Sequence, residues 1–253
     1  MALEAQPTRT PDVDYDAIAP SYAADRGASP VVIEELVRGL SRAKIGSLLE
    51  MGCGTGDYLA ALAGRLGARG FGMDRSLGML TEGRRKNPGP WVVRADAQRG
   101  YPFRDASFDA CMSVNVMHYL TDLGGFFAEA YRVTKPGAVA VTVTDSEEDL
   151  RRRTQCRYFP ETLDVELKRY PPISAIRAAI EQTGWVEVQC THTERTFPLD
   201  RAMLQRFRNK ARSSLRLISP AGFQAGMTRL ERDLSTGNVL MTESYTYVWA
   251  RKP

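Results

Sequence analysis

An apolar run that ends in three alternating glycines constrains this 253-residue chain more than any other feature: Leu48-Leu49-Glu50-Met51-Gly52-Cys53-Gly54-Thr55-Gly56. Glycines at 52, 54 and 56 let a strand turn sharply and bring backbone N–H groups against a ligand with no Cβ in the way. The spacing is G-x-G-x-G. A dinucleotide fingerprint, G-x-G-x-x-G, needs glycine at 57 and sets a pyrophosphate on the N-terminus of the next helix. Asp57 stands there instead, and an acid repels a pyrophosphate. Glu50, two residues before the first glycine, suits a cationic amino-acid group, because a carboxylate at the end of a strand accepts from an ammonium. Glycines alone also fit a purely structural turn.

Further strand ends agree with a nucleotide site. Eighteen residues after Gly56, Asp74 closes the apolar stretch Gly70-Phe71-Gly72-Met73, as the second strand of a βαβ unit should end. An acid there accepts from both hydroxyls of a ribose. Asp74 could equally cap the following helix, although Ser76 already serves that purpose. A third strand, Trp91-Val92-Val93, leads to Ala95-Asp96-Ala97, and a fourth, Phe108 to Ser113, leads to Val114-Asn115-Val116-Met117-His118. Open α/β sheets bind ligands at the carboxyl ends of their strands, around the point where strand order reverses. Four strand ends thus converge on one expected site.

Residues 45–145 resemble the class I S-adenosylmethionine-dependent methyltransferases, in particular the small-molecule group similar to ubiquinone and menaquinone methyltransferases. The matching pieces are Glu50 to Gly56, Asp74, Ala95-Asp96-Ala97, the Tyr101 to Asp109 segment and Lys135-Pro136-Gly137. The resemblance implies S-adenosylmethionine as cofactor and S-adenosylhomocysteine as product. It implies a Rossmann-like α/β fold: a seven-stranded, mostly parallel sheet of order 3-2-1-4-5-7-6, helices on both faces, an N-terminal lid and a C-terminal helical cap. Carried over by position, it puts Glu50 near the methionine ammonium, with Gly52, Cys53, Gly54 and Gly56 forming the loop. Asp74 falls on the ribose with Arg75 and Met79 beside it, and Asp96 on the adenine amine with the Ala97 N–H on the ring. Ser113, Val114, Met117 and His118 line the cleft. The segment Tyr15 to Arg26 looks like this family's lid, with Tyr15, Tyr22 and Arg26 facing the methionine end. Ala138 departs from the family's usual glycine. From about residue 147 the match fades, and substrate specificity is expected there.

Three parts follow along the chain, read together as a single domain: 1–44 as lid and first helix, 45–145 as the cofactor-binding core, and 146–253 as completion of the sheet with a substrate cap. Ser29-Pro30 opens a helix whose Val32, Ile33, Leu36, Val37 and Leu40 recur at helical spacing. Leu59, Leu62, Ala63 and Leu66 form the apolar face of the first crossover helix, which Gly67 ends. Ile173, Ile176 and Ile180 predict a helix capped by Ser174 and stopped by Gly184. Val186, Val188, Cys190 and His192 alternate as one strand face, and Ser244 to Arg251 predict a last antiparallel strand. The roughly forty residues between those strands are too long for a structureless connection. With 147–172 they are expected to cap the strand ends.

Composition is that of an ordinary globular enzyme, 25% charged and 43% hydrophobic. No apolar leader core or membrane-length stretch is present, so no membrane insertion and a cytoplasmic location are expected. Cysteines at 53, 111, 156 and 190 lack paired C-x-x-C spacing, so no metal is expected. Charge is uneven: residues 1–145 hold 16 Lys+Arg and 17 Asp+Glu, net −1, whereas 146–253 hold 18 and 13, net +5. Basic clusters fit an ordinary solvated face, and they also suit an anionic substrate group or RNA. The aromatic D/N-P-P motif of base methylation is absent from the fourth strand end, which argues against nucleic acid. Oxygen nucleophiles and carbon acids need a base, and His118 is the candidate, with Tyr22, Tyr158 and Glu166 as further substrate-side residues. His192 reads as structural. The expected activity is methyl transfer to an O, N or C nucleophile of a small metabolite or biosynthetic intermediate. A non-methylating cofactor-binding protein is the third reading. The acceptor atom and the oligomeric state are not legible.

Overall fold

The computed structural model describes residues 13–237 and 239–253; the expected polar tail lies outside the described residues. Helices α1 (Tyr15–Asp25) and α2 (Pro30–Leu40) precede the sheet. Then β1 (Ser47–Met51), α3 (Asp57–Leu66), β2 (Arg69–Asp74), α4 (Leu77–Lys86), β3 (Trp91–Arg94), β4 (Phe108–Val114), α5 (Leu123–Val133) and β5 (Thr134–Thr144) build the core. Short helices α6 (Glu147–Arg152), α7 (Thr154–Tyr158) and α8 (Glu161–Arg169) lead to α9 (Ile173–Gln182) and β6 (Val186–Pro198). Helices α10 (Arg201–Arg208) and α11 (Pro220–Thr236) separate β6 from β7 (Leu240–Arg251).

All seven strands form one sheet in the order β3-β2-β1-β4-β5-β7-β6, as the family resemblance implies. Strands β1 to β5 run parallel, and β7 is antiparallel to both of its neighbours. Successive side chains of a strand point to opposite faces, so the central strands feed two cores. Leu49 and Cys111 pack with Phe126 and Ile176 of α5 and α9, while Leu48 and Met112 pack with Leu36 and Leu59 of α2 and α3. A third cluster around Phe159, Phe207, Leu215 and Leu230 holds the cap together. Strand order reverses between β1 and β4, which opens the crevice at their carboxyl ends.

Helix ends follow local chemistry where the sequence supplies it. Ser76 Oγ accepts from Met79 N–H at the start of α4, Asp122 accepts from Gly125 N–H at the start of α5, and Gly67 ends α3 at φ +63°. Two expectations need correction. Ser174 lies inside α9, which opens at Pro172, because that proline's extended backbone already sets the start. Val186, Val188, Cys190 and His192 do not share one face. Val186 pairs with Arg251 but Gln189 with Trp249, so β6 carries one extra residue, and Glu187 sits at φ +52°. Such a bulge inverts the alternation. Beyond it Thr191, Thr193, Arg195 and Phe197 turn inward, and the ladder runs on to Pro198 opposite Leu240.

Helix α1 lies across the carboxyl ends of the strands and buries only Ala19. Polar bonds fasten it rather than a core: Asp16 accepts from Ser76 Oγ (2.7 Å) and Gly78 N–H (2.6 Å), and Lys86 Nζ donates to the Ala23 and Arg26 carbonyls. Beneath it, α4 presses against the glycine loop. A Cβ at Gly83 would lie 2.9 Å from the Thr55 carbonyl oxygen, with backbone on every near side. Gly83→Ala is therefore expected to lower stability by roughly 1–3 kcal/mol through overpacking. A chemical denaturation midpoint equal to that of the parent would show that the loop yields freely.

Candidate functional site

The loop after β1 adopts three left-handed glycine positions, Gly52, Gly54 and Gly56 at φ +72°, +54° and +71°. A Cβ at Gly54 would meet no atom of the described residues within 4 Å. Above it opens a cleft of about 1050 Å³, counting the space at its mouth. Glu50, Gly52, Cys53 and Gly54 line it from β1 and its loop, Asp74 and Arg75 from the end of β2, Met79 from α4, and Asp96 and Ala97 from the end of β3. Val114 and Asn115 border it from β4, and Tyr15, Tyr22 and Arg26 form its roof.

Electrostatics at the floor suit a cation beside a nucleoside. Glu50 is 2% exposed, and its Oε2 has no hydrogen-bond partner among the described residues. Burial raises its carboxyl well above the usual range, and Asp74 and Asp57 push it further up. An ammonium in the cleft would relieve that orphaned acid. Asp74 accepts from Gly54 N–H (2.8 Å) and Ser76 N–H (2.9 Å), one at each oxygen. Each oxygen keeps one lone-pair site, as two ribose hydroxyls need. Asp74 thus braces the loop, and Ser76 caps α4. Asp96 accepts from Gln98 N–H at one oxygen and is half-exposed to the cleft. The residues present therefore fit S-adenosylmethionine at both its ammonium and its ribose.

The roof is aromatic and basic. Tyr15 shares a hydroxyl hydrogen bond with Tyr119 and meets Tyr22 edge-on, ring centres 5.9 Å apart. The Arg26 guanidinium lies 5.6 Å from the Tyr22 ring centre and pairs with no carboxylate among the described residues. Behind the roof a polar chamber shares Tyr15, Tyr22, Arg26, Asn115 and Tyr119 with the cleft. Arg153 enters it from α7, paired with buried Asp145 and lying 3.8 Å from Glu166, which Arg169 also approaches at 3.7 Å. Arg212 and Tyr245 complete the far wall.

Several residues expected at the cofactor lie elsewhere. Ser113 is buried and bonded to Thr142 Oγ1 (2.9 Å), because it precedes the strand end by one residue too many. Met117 turns into the core beneath α5. Gly56 backs the loop against Gly83 rather than facing the cleft. His118 lines the chamber, stacked on Tyr170 at 4.4 Å, with Nδ1 unpartnered among the described residues. Burial, with Arg169, Arg153 and Arg26 adding to it, lowers its pKa well below the usual imidazole value, so the ring stays neutral. Tyr158 is in neither cavity; its hydroxyl donates to Asp233 and its ring packs in the cap core. Glu166 does reach the chamber, but two arginines neutralise it. His192 bonds Asp149 (2.8 Å) on the outer strand, away from both cavities.

Sequence reasoning missed Asn115, Arg153, Tyr170, Arg212 and Tyr245. Asn115 alone carried a signal: at φ +58° it holds a conformation that asparagine tolerates better than most residues, just past a strand end. Arg153 is indistinguishable in sequence from Arg151 and Arg152, which pair outward with Glu147 and Glu148. Arg208 likewise pairs with Glu231, so much of the basic cap is neutralised locally. Among the described residues no helix is long and apolar enough to cross a membrane, and no cluster of three metal-ligating side chains occurs.

Comparison with known proteins bears on this geometry. Residues 49–142 match the family model described as a methyltransferase domain. The chain is 28% identical over 196 residues to a malonyl-[acyl-carrier protein] O-methyltransferase of Serratia marcescens, covering 67% of this chain and 76% of that protein. It is 31% identical over 150 residues to a demethylmenaquinone methyltransferase of Lactiplantibacillus plantarum, covering 53% and 62%. A crystal structure from Anabaena variabilis, named for a methyltransferase of an antibiotic biosynthesis pathway, superposes with a TM-score of 0.70 at 18% identity, covering 89% and 98%. Strand order, the orphaned acid beneath the glycine loop and the matched domain agree, and the chain is a class I S-adenosylmethionine-dependent methyltransferase of the small-molecule kind.

Proposed function

We propose that this enzyme methylates an anionic small molecule on a carboxylate oxygen, with the acceptor held in the chamber behind the roof. The observation that carries this reading is the guanidinium lining there. Arg26, Arg153 and Arg212 line a space whose one imidazole, His118, is held neutral. A phenol or a carbon acid needs a base, and a histidine with so low a pKa is a weak one. A carboxylate arrives already nucleophilic. Bound in the cleft, the cofactor supplies a methyl group activated on a sulfonium. A carboxylate would take that methyl group with no proton to remove, so the chain's residues would need only to orient it.

In this reading Glu50 holds the methionine ammonium, Asp74 the ribose, Asp96 and the Ala97 N–H the adenine, and Arg26 the carboxylate at the methionine end. Arg153 and Arg212 orient the acceptor, and His118 borders it as a neutral hydrogen-bonding wall. Tyr15 and Tyr22 exclude water, and a lid that closes over both cavities converts a collision into a positioned reaction. The likeness to the Serratia malonyl-[acyl-carrier protein] O-methyltransferase supports the acceptor chemistry. Free cysteines at all four positions suit a reducing, cytoplasmic setting.

Incubation with S-adenosylmethionine and a panel of carboxylic acids, phenols and amines tests the assignment. The expected product is an acid that gains the mass of one CH2 and loses it on mild alkaline hydrolysis. Products formed only from phenols or amines would overturn it. Lid closure is expected to appear as slower amide exchange in residues 13–28 and 150–170 once S-adenosylhomocysteine binds. Equal protection with and without ligand would leave α1 as a fixed surface helix.

A further inference from the structure

A second basic cavity lies on the far side of the chamber, between the turn joining α1 to α2 and the segment from α10 to residue 215. It shares Arg26, Ala211, Arg212 and Tyr245 with the chamber, so cleft, chamber and this vestibule adjoin along one corridor of shared walls. Three further observations single it out. Arg195 and Arg212 both turn toward one carboxylate, Glu243, at 3.8 Å and 3.3 Å, so a single acid faces two guanidinium groups. Arg206 on α10 adds a third, exposed and without an ion-pair partner among the described residues. Arg195 Nε and Ser29 Oγ are buried atoms with no hydrogen-bond partner among the described residues. Ser29 precedes α2, whose N-terminus no side chain caps. The rest of the wall, Met203, Phe207 and Leu215, is apolar.

We propose that this vestibule is an oxyanion site that holds a phosphate-type group at the distal end of the acceptor molecule. The inference rests on the reading of the chamber as the acceptor site. Guanidinium forks match the oxygens of a phosphate, the Ser29 hydroxyl supplies a further donor, and a dianion balances the excess charge that Glu243 leaves. A carboxylate in the chamber and a phosphate in the vestibule make the substrate an elongated molecule with acid groups at both ends, its middle covered by Phe207 and Leu215. Cofactor binding uses the other end of the corridor, so the vestibule acts on acceptor affinity and leaves cofactor affinity alone.

Titration calorimetry of the full chain saturated with S-adenosylhomocysteine tests this, using inorganic phosphate and hexyl phosphate as probes. Hexyl phosphate is expected to bind saturably and at least about ten-fold more tightly than inorganic phosphate, because the apolar wall receives its chain. Arg206→Ala, a change on an exposed helix face, is expected to lower that affinity about ten-fold, and the pair Arg195→Met with Arg206→Ala to abolish it. S-adenosylhomocysteine affinity stays constant throughout. Absence of saturable binding, or binding that survives both substitutions, overturns the site. Equal affinity for the two probes overturns the distal-handle assignment in favour of free phosphate. Methylation of acids without phosphate binding removes this inference and leaves the acceptor reading intact. Phosphate binding without acid methylation does the reverse.

Discussion

Asp74→Ala is expected to weaken S-adenosylhomocysteine binding by about 1.5–3 kcal/mol, since it removes a charged acceptor from the ribose hydroxyls. That is roughly ten- to a hundred-fold in dissociation constant. The structure enlarges the expectation beyond the ligand contact. The same carboxylate holds Gly54 N–H and Ser76 N–H, so its loss frees the middle of the glycine loop and leaves two donors without an acceptor. Asp74→Asn keeps one strong acceptor oxygen and is expected to fall between the alanine variant and the parent. Calorimetry on both variants, with a thermal melt to confirm folding, gives the answer. Undiminished affinity in a folded Asp74→Ala protein would reduce Asp74 to a backbone brace.

Glu50→Gln should move stability and binding in opposite directions. Burial raises the Glu50 carboxyl in the folded chain, with Asp74 and Asp57 adding to the shift. In the unfolded chain it titrates near the ordinary glutamate value, about 4.3. Between those two values the folded state holds a proton that the unfolded state has released. The ligand-free protein therefore loses stability as pH rises from about 4.3 through the raised folded pKa, and keeps that penalty above it. Glutamine cannot ionise, so Glu50→Gln is expected to melt higher than the parent at neutral pH, with the gap closing at acid pH. An ammonium in the cleft favours the ionised form, so the same variant loses a charge-assisted hydrogen bond and about 1.5–3 kcal/mol of cofactor affinity. Parent binding should strengthen as pH rises through the Glu50 transition, with a proton released on binding. A glutamine variant that melts lower, or binds as tightly as the parent, would remove Glu50 from the ammonium site.

The lining of the cleft was legible because its residues lie within a few positions of the end of a strand. Glu50, Gly52, Gly54, Asp74, Asp96 and Ala97 sit where parallel strands stop, and the strand's own periodicity puts them at the crevice. Errors came where one residue of register decides the face. Ser113 and Met117 flank the residues that do face the cleft, and the bulge at Glu187 inverts β6 without any glycine to announce it. Helix α1 was recognisable from Tyr15, Tyr22 and Arg26, although its fastening through Asp16 to Ser76 and Gly78 was not.

The acceptor end is a different case. Asn115, His118, Arg153, Glu166, Arg212 and Tyr245 come from the ends of β4, α7, α8, a loop after α10 and β7, and no local spacing relates them. Three consecutive arginines at 151–153 have one composition and two fates: the first two pair with glutamates on the helix surface, and the third turns inward to Asp145. Local sequence therefore determined the nucleotide-binding half, because a strand, its turn and its helix cap are short-range structures. Only the tertiary structure decided the chamber and the vestibule, because their charge balance depends on which arginines find a carboxylate across the fold.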